Sequence, residues 1–197
     1  FAECQAEERG VTAVAEEELS QNGEEKLLDW LDHKTDFFTA PASTRFHGAC
    51  EGGLCMHSLN VYHALHDTFF TEGDSEETFA ICALLHDLCK ANYYKPGTRN
   101  VKNEATGQWE KVPSYSVEDL FPYGHGEKSV FLIERFMKLH IEEAVAIRWH
   151  MGGFDDAARG GCFAISEAYD KYPLAVKLHI ADLEATYLME HRTSAVR

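Results

Sequence analysis

His86 and Asp87 stand side by side at the end of the run Phe79-Ala80-Ile81-Cys82-Ala83-Leu84-Leu85, which is apolar on every face. An imidazole and a carboxylate delivered to that place are costly to bury unless a strong partner compensates them. A divalent cation is such a partner; the alternative is a helix end emerging into water. Asp182 adds to the case. On a wheel of about 100° per residue, Ala175, Leu178, Ala181 and Ala185 flank Asp182, while Lys177 and Glu184 fall opposite. Asp182 therefore points toward the core, where an aspartate pairs, accepts a backbone amide or coordinates. His57 shares its helical face with Val61, Ala64 and Thr68, whereas His63 and His66 turn outward. His125, between Gly124 and Gly126, and His150, ahead of Gly152-Gly153, stand where glycine meets helix. Either alone reads as structural. Together they supply the nitrogen donors that a second ion needs.

Helices must position these residues. Leu27, Leu28, Leu31 and Phe38 recur at helical spacing between Glu24 and Phe38, and Pro41 ends that unit. A loop carrying Arg45 and His47 leads through Gly52-Gly53 to a helix over Leu54 to Phe70. Asp74, with Glu77 three residues on, has capping-box spacing and opens the apolar helix that ends at His86. Between residues 93 and 124, prolines and glycines punctuate the chain. Val101 to Glu104 and Gln108 to Val112, flanking Ala105-Thr106-Gly107, form a hairpin pattern. Helices over Glu127 to Leu139 and Ile141 to His150 follow, then a glycine-rich loop, then a last helix opening near Pro173. Residues 1–23 form an acidic arm, mobile or weakly helical, and residues 24–197 a single domain.

Composition limits what such a site can serve. The chain has 197 residues, 33 acidic against 18 basic, for a formal charge of −15. A grip on long nucleic acid relies on a basic stripe, because phosphate neutralisation dominates that affinity. The acidic balance argues against it and toward a small phosphorylated molecule held by a few local cations. No apolar stretch is long enough to span a membrane, and no signal-peptide pattern opens the sequence. The six cysteines follow no zinc-finger spacing, and Cys82 and Cys89 lie in or beside the apolar helix. Reduced thiols and a cytoplasmic setting are expected.

The order His57, His86-Asp87, Asp182 on separate helices resembles the HD superfamily of metal-dependent phosphohydrolases, over about Ala42 to Leu188. Gly52-Gly53-Leu54-Cys55-Met56-His57-Ser58-Leu59 is similar to the Gly-Gly-Leu-x-x-His-[Ser/Thr]-Leu segment of one subgroup. Leu84-Leu85-His86-Asp87-Leu88-Cys89-Lys90 is similar to the superfamily's Leu-His-Asp-[Ile/Leu]-x-Lys pattern. The resemblance implies an all-α HD-domain helical bundle, here with a small β-hairpin insertion near residues 98–116. It implies a first divalent ion on His57, His86, Asp87 and Asp182, with Asp87 bridging to a second on His125 and His150. Asp87 and Lys90 would be catalytic, and Arg45, Lys90 and Lys128 would bind the phosphorylated substrate, most simply a nucleotide.

A mixed imidazole and carboxylate set suits Mn²⁺, Fe²⁺, Ni²⁺ or Co²⁺, with Mg²⁺ or Zn²⁺ as alternatives. The subgroup includes 3′→5′ exoribonucleases that carry an additional nucleic-acid-binding domain, for which this chain has no room. Short single-stranded nucleic acid is therefore the second substrate reading, and a non-catalytic nucleotide- or metal-binding regulatory module the third. Lys95, Arg99, Lys102 and Lys111 make the hairpin either a lid over the site or an ordinary solvated hairpin. Trp109 and Tyr115 would stack on a base or pack the hairpin onto the body. The sequence leaves the oligomeric state open.

Overall fold

The computed structural model describes residues 10–17 and 23–190. Within them the fold is mostly helical, with one two-stranded antiparallel sheet. Residues 10–17 (α1) are helical, and Val11 and Ala15 join the core; residues 1–9 and 18–22 of the acidic arm lie outside the described residues. The helix α2 covers Glu24–Lys34, burying Leu27 and Leu31. It ends short of Phe38, where the Thr35 hydroxyl donates to the Leu31 carbonyl and the chain turns.

The loop before α3 (Gly53–Phe69) is pulled tight by backbone bonds: Ala42 to Gly48, Gly52 to Thr39, and Leu54 to Ala40. Its double glycine has a steric cause. Gly52 sits at φ 75°, and a Cβ on Gly53 would lie 1.9 Å from the Gly48 carbonyl oxygen. This close approach fixes where α3 begins, and so how deep His57 is carried. Val61 and Ala64 share the buried face of α3 with His57, whereas Thr68 emerges into solvent.

The helix α4 spans Glu76–Leu85, and every residue from Phe79 to Leu85 is buried. Its cap is Ser75, whose hydroxyl accepts from the Thr78 amide. Asp74, expected in that role, folds back instead and accepts from the amide and hydroxyl of Thr71. A short 3₁₀ turn, Leu88–Lys90, follows the dyad.

The hairpin is longer than the expected 98–116. Strands β1 (Tyr94–Lys102) and β2 (Trp109–Val117) pair from Tyr94–Val117 to Lys102–Trp109. Pro96 and Pro113 obscure it in sequence, yet both are tolerated because each strand has a free edge. Then come α5 (Gly126–Glu134) and α6 (Ile141–Trp149). The first stops at Glu134 rather than Leu139, where the Glu134 carboxylate accepts from the Leu139 amide.

The glycine-rich segment expected as loop contains α7 (Asp156–Arg159), capped by Asp155, and the amphipathic α8 (Ala164–Lys171). Last comes α9 (Pro173–Glu184), which runs into a π turn, Ala185–Met189. α3 packs on α4 and α9, while α6 packs on α5 and α9. Among the described residues no helix is long and apolar enough to cross a membrane.

Candidate metal centre

Three helix ends and two helix faces converge on one buried cluster. α3 contributes His57 and α9 contributes Asp182; the end of α4 supplies His86 and Asp87. The start of α5 supplies His125, and the end of α6 His150. His57, His86, Asp87 and His150 are buried. Three overlapping sets, His57-His86-Asp87, His86-His150-Asp182 and Asp87-His125-His150, each bring their donor atoms within 4.8 Å of one another. All six residues expected to hold metal therefore meet.

Their hydrogen bonds aim the rings. Nδ1 of His86 donates to the Ala83 carbonyl at 2.8 Å, and Nδ1 of His150 to the Ile147 carbonyl at 2.7 Å. Both Nε2 atoms are thereby turned toward the cluster, the arrangement in which backbone carbonyls orient metal-binding histidines. Nε2 of His86 lies 3.3 Å from Nε2 of His57, itself 3.2 Å from Asp182 Oδ1. Nε2 of His150 is buried and makes no hydrogen bond among the described residues. An orphaned imidazole nitrogen beside a carboxylate, and two ring nitrogens face to face, fit a cation in their midst. The donor types fit one as well.

Electrostatics tell the same story in the absence of an ion. Burial alone would depress the His57 pKa, but the carboxylates of Asp182 and Glu190 outweigh it and hold it at about 10. His125 is also held near 10, with burial overcome by Cys89 and Asp87. Its ring is 31% exposed, so its share of the effect is the weaker. Burial pushes His150 down to about 4. Burial opposes ionisation of Asp87, yet Lys90, His86 and His125 keep it well below the usual carboxylate range. Asp182 is likewise lowered, burial being overcome chiefly by His57.

Two contributors were not read from the sequence. Glu190, its side chain fully buried, accepts from Nδ1 of His57 at 2.8 Å and from the Asn60 amide at 3.3 Å. Its position, eight residues past Asp182 across a π turn, gave no periodic signal. His47 packs its ring 4.9 Å from that of His57, and burial drives its pKa to about 4. Its loop gave no sign of where it would fold.

The expected cations separate. Lys90 Nζ lies 2.7 Å from Asp87 Oδ2, at the edge of a cavity of about 430 Å³ that also reaches Asp182. Arg45 is exposed and outside that lining. Lys128 is buried and bonded to Asp119 at 2.8 Å, beside a second recess of about 330 Å³ reached also by His125. Of the hairpin cations, Lys95 pairs with Glu118, and none of the four lines either recess. Trp109 is 70% exposed, and Tyr115 is half-buried. His63 is exposed, and His66 bonds Glu76 on the surface side of α3. No protein-family model, curated protein or solved structure matches the chain.

Proposed function

We propose that the chain is an HD-type, metal-dependent phosphohydrolase acting on a phosphoester or phosphoanhydride of a small substrate, with a nucleotide as the best fit. The observation that carries this reading is the convergence of His57, His86, Asp87, His125, His150 and Asp182, with their donor atoms within coordination reach and with Asp87 and Asp182 lining an open cavity. The resemblance of the His57 and His86-Asp87 segments to the HD pattern assigns a role to each. His57, His86, Asp87 and Asp182 would hold one divalent ion. His125 and His150, sharing Asp87, would hold a second. A bound ion supplies Lewis acidity and brings the pKa of a water to about 7.

The chain's own groups do the rest. Nδ1 of His86 and His150 is occupied by backbone carbonyls, so neither ring can rotate its Nε2 away from the cluster. Glu190 does the same for His57. Lys90 keeps its positive charge, because Asp87 outweighs its burial. It stands where negative charge on a phosphate at Asp87 must be balanced. The cavity is half-open and of a size that suits a small molecule, within about 300–1,000 Å³ for such sites. The chain's net charge of −15 offers no long-range attraction to a polymer.

Asp87→Ala and Asp182→Ala separate this reading from a structural histidine cluster. Each variant should lose Mn²⁺ on dialysis and lose hydrolysis of bis(p-nitrophenyl) phosphate and of a nucleotide panel, with helicity unchanged by circular dichroism. Retained metal together with undiminished turnover in both variants would falsify the assignment. His125→Ala and His150→Ala should lower the metal content from two toward one; unchanged content assigns the site one ion.

A further inference from the structure

The cavity above the cluster has a second, chemically different side. Phe46, Phe154 and Tyr187 line it with rings that are 59%, 50% and 57% exposed. Apolar rings held open to water on one cavity suit a flat aromatic ligand that covers them. Arg159, at the end of α7, lines the same cavity. Its guanidinium carbon is 5.9 Å from the centroid of the Phe154 ring, and it makes no ion pair among the described residues.

That freedom sets Arg159 apart from its neighbours. Lys90 is committed to Asp87, and His179 donates from Nδ1 to the His150 carbonyl at 2.7 Å. Arg148 is held by both Glu127 and Asp155, the cap of α7. In a chain where acidic residues outnumber basic ones 33 to 18, an arginine on a cavity wall with no carboxylate partner among the described residues is positioned for an anion from outside. Lys90 and the metal cluster already serve one phosphoryl group at the floor.

We propose that the cavity accepts a nucleotide carrying at least two phosphoryl groups, such as a nucleoside diphosphate. The scissile group lies at the Asp87 floor, the other on Arg159, and the base on the ring wall formed by Phe154 and Tyr187. This rests on the reading of the cluster as a phosphohydrolase site. It adds what that site selects. Arg159 is a specificity residue: it grips an anion remote from the bond that breaks, beside the Phe154 ring that carries the base.

The test is equilibrium binding to the Mn²⁺-loaded protein, followed by calorimetry, with adenosine 5′-(α,β-methylene)diphosphate and AMP as probes. Arg159 is exposed, so Arg159→Gln should keep the wild-type melting temperature and metal content. It should weaken the diphosphate analogue about 10- to 100-fold, the usual loss of a charged hydrogen bond, and AMP by less than about threefold. Phe154→Ala should weaken both probes alike. An equal loss for both probes in Arg159→Gln would place the arginine on the scissile group, and no loss would leave it without a ligand; either outcome overturns the proposal. Failure of the wild-type protein to bind the diphosphate analogue overturns it too. Mn²⁺ retention and aryl phosphodiester hydrolysis, scored on the same preparation, report separately on the phosphohydrolase reading.

Discussion

If the cluster takes up a metal ion, the uptake should release protons from its histidines. In the metal-free protein, His57 and His125 are both held near pKa 10, so both are protonated at neutral pH. Each must shed a proton to offer a nitrogen lone pair to an ion. Three carboxylates, Asp87, Asp182 and Glu190, face the ammonium of Lys90 and these two imidazolium rings. In the two-ion arrangement each ion displaces one of these protons, His57's at the first site and His125's at the second.

The sign follows directly: protons compete with the ion below the folded pKa of about 10, so affinity climbs with pH. Between about pH 7 and pH 8 the apparent Kd for Mn²⁺ should fall about tenfold at each site, where one ring deprotonates per ion. Calorimetric titration in two buffers of different ionisation enthalpy counts the protons directly. His125→Ala should lower that count by one. The same protons stabilise the metal-free fold. The contribution of His57, whose pKa is raised from 6.5 to about 10, is complete below pH 6.5 and is lost as pH rises through about 10. The metal-free protein should therefore lose melting temperature from pH 7 to 10 more steeply than the loaded one. A Kd independent of pH, with no proton released, would refute both the ligand assignment of His57 and the charge argument.

Glu190→Gln preserves volume and one acceptor but removes the charge behind His57; metal affinity should drop by about 10- to 100-fold, as for other groups that support a ligating histidine. Competition with a chelator measures it, and an affinity equal to wild type would show that Glu190 is only a buried filler. Gly53→Ala places a Cβ against the Gly48 carbonyl, backbone that cannot swing aside. It should cost about 1–3 kcal/mol by urea unfolding and loosen metal binding through His57. Gly153→Ala, where a Cβ meets nothing within 4 Å, should change stability by no more than about 0.5 kcal/mol. Equal effects would refute the close-approach argument.

What could be read from sequence divides along a physical line. His57, His86, Asp87 and Asp182 were legible because each interrupts or ends an apolar helical run, and the cost of burying an ionisable group there makes its placement meaningful. Glu190 carries the same cost, since its side chain is fully buried, but its setting hides it. Continued as an α-helix from Asp182, residue 190 would lie about 80° round the wheel, and the wider π turn over Ala185–Met189 changes that phase. A wheel cannot see a π turn.

The cations failed to be legible for a different reason. Lys90 is fixed by the turn directly after the dyad, so sequence proximity sufficed. Which of Arg45, Lys128 and Arg159 faces a cavity depends on where loops land after the helices have packed. Lys128 is drawn to Asp119, and Arg45 is left in solvent. Arg159 arrives on a four-residue helix inside a stretch whose glycines signalled only loop. Metal ligands must sit on rigid helices to hold their geometry, and rigid helices are what hydrophobic periodicity reveals. The groups on the cavity wall lie instead on short elements that carry little pattern, Arg159 on α7 and Phe46 in the loop before α3. The candidate metal cluster was therefore readable before the cavity wall above it, and a ligand for the cluster has to be sought from that wall inward.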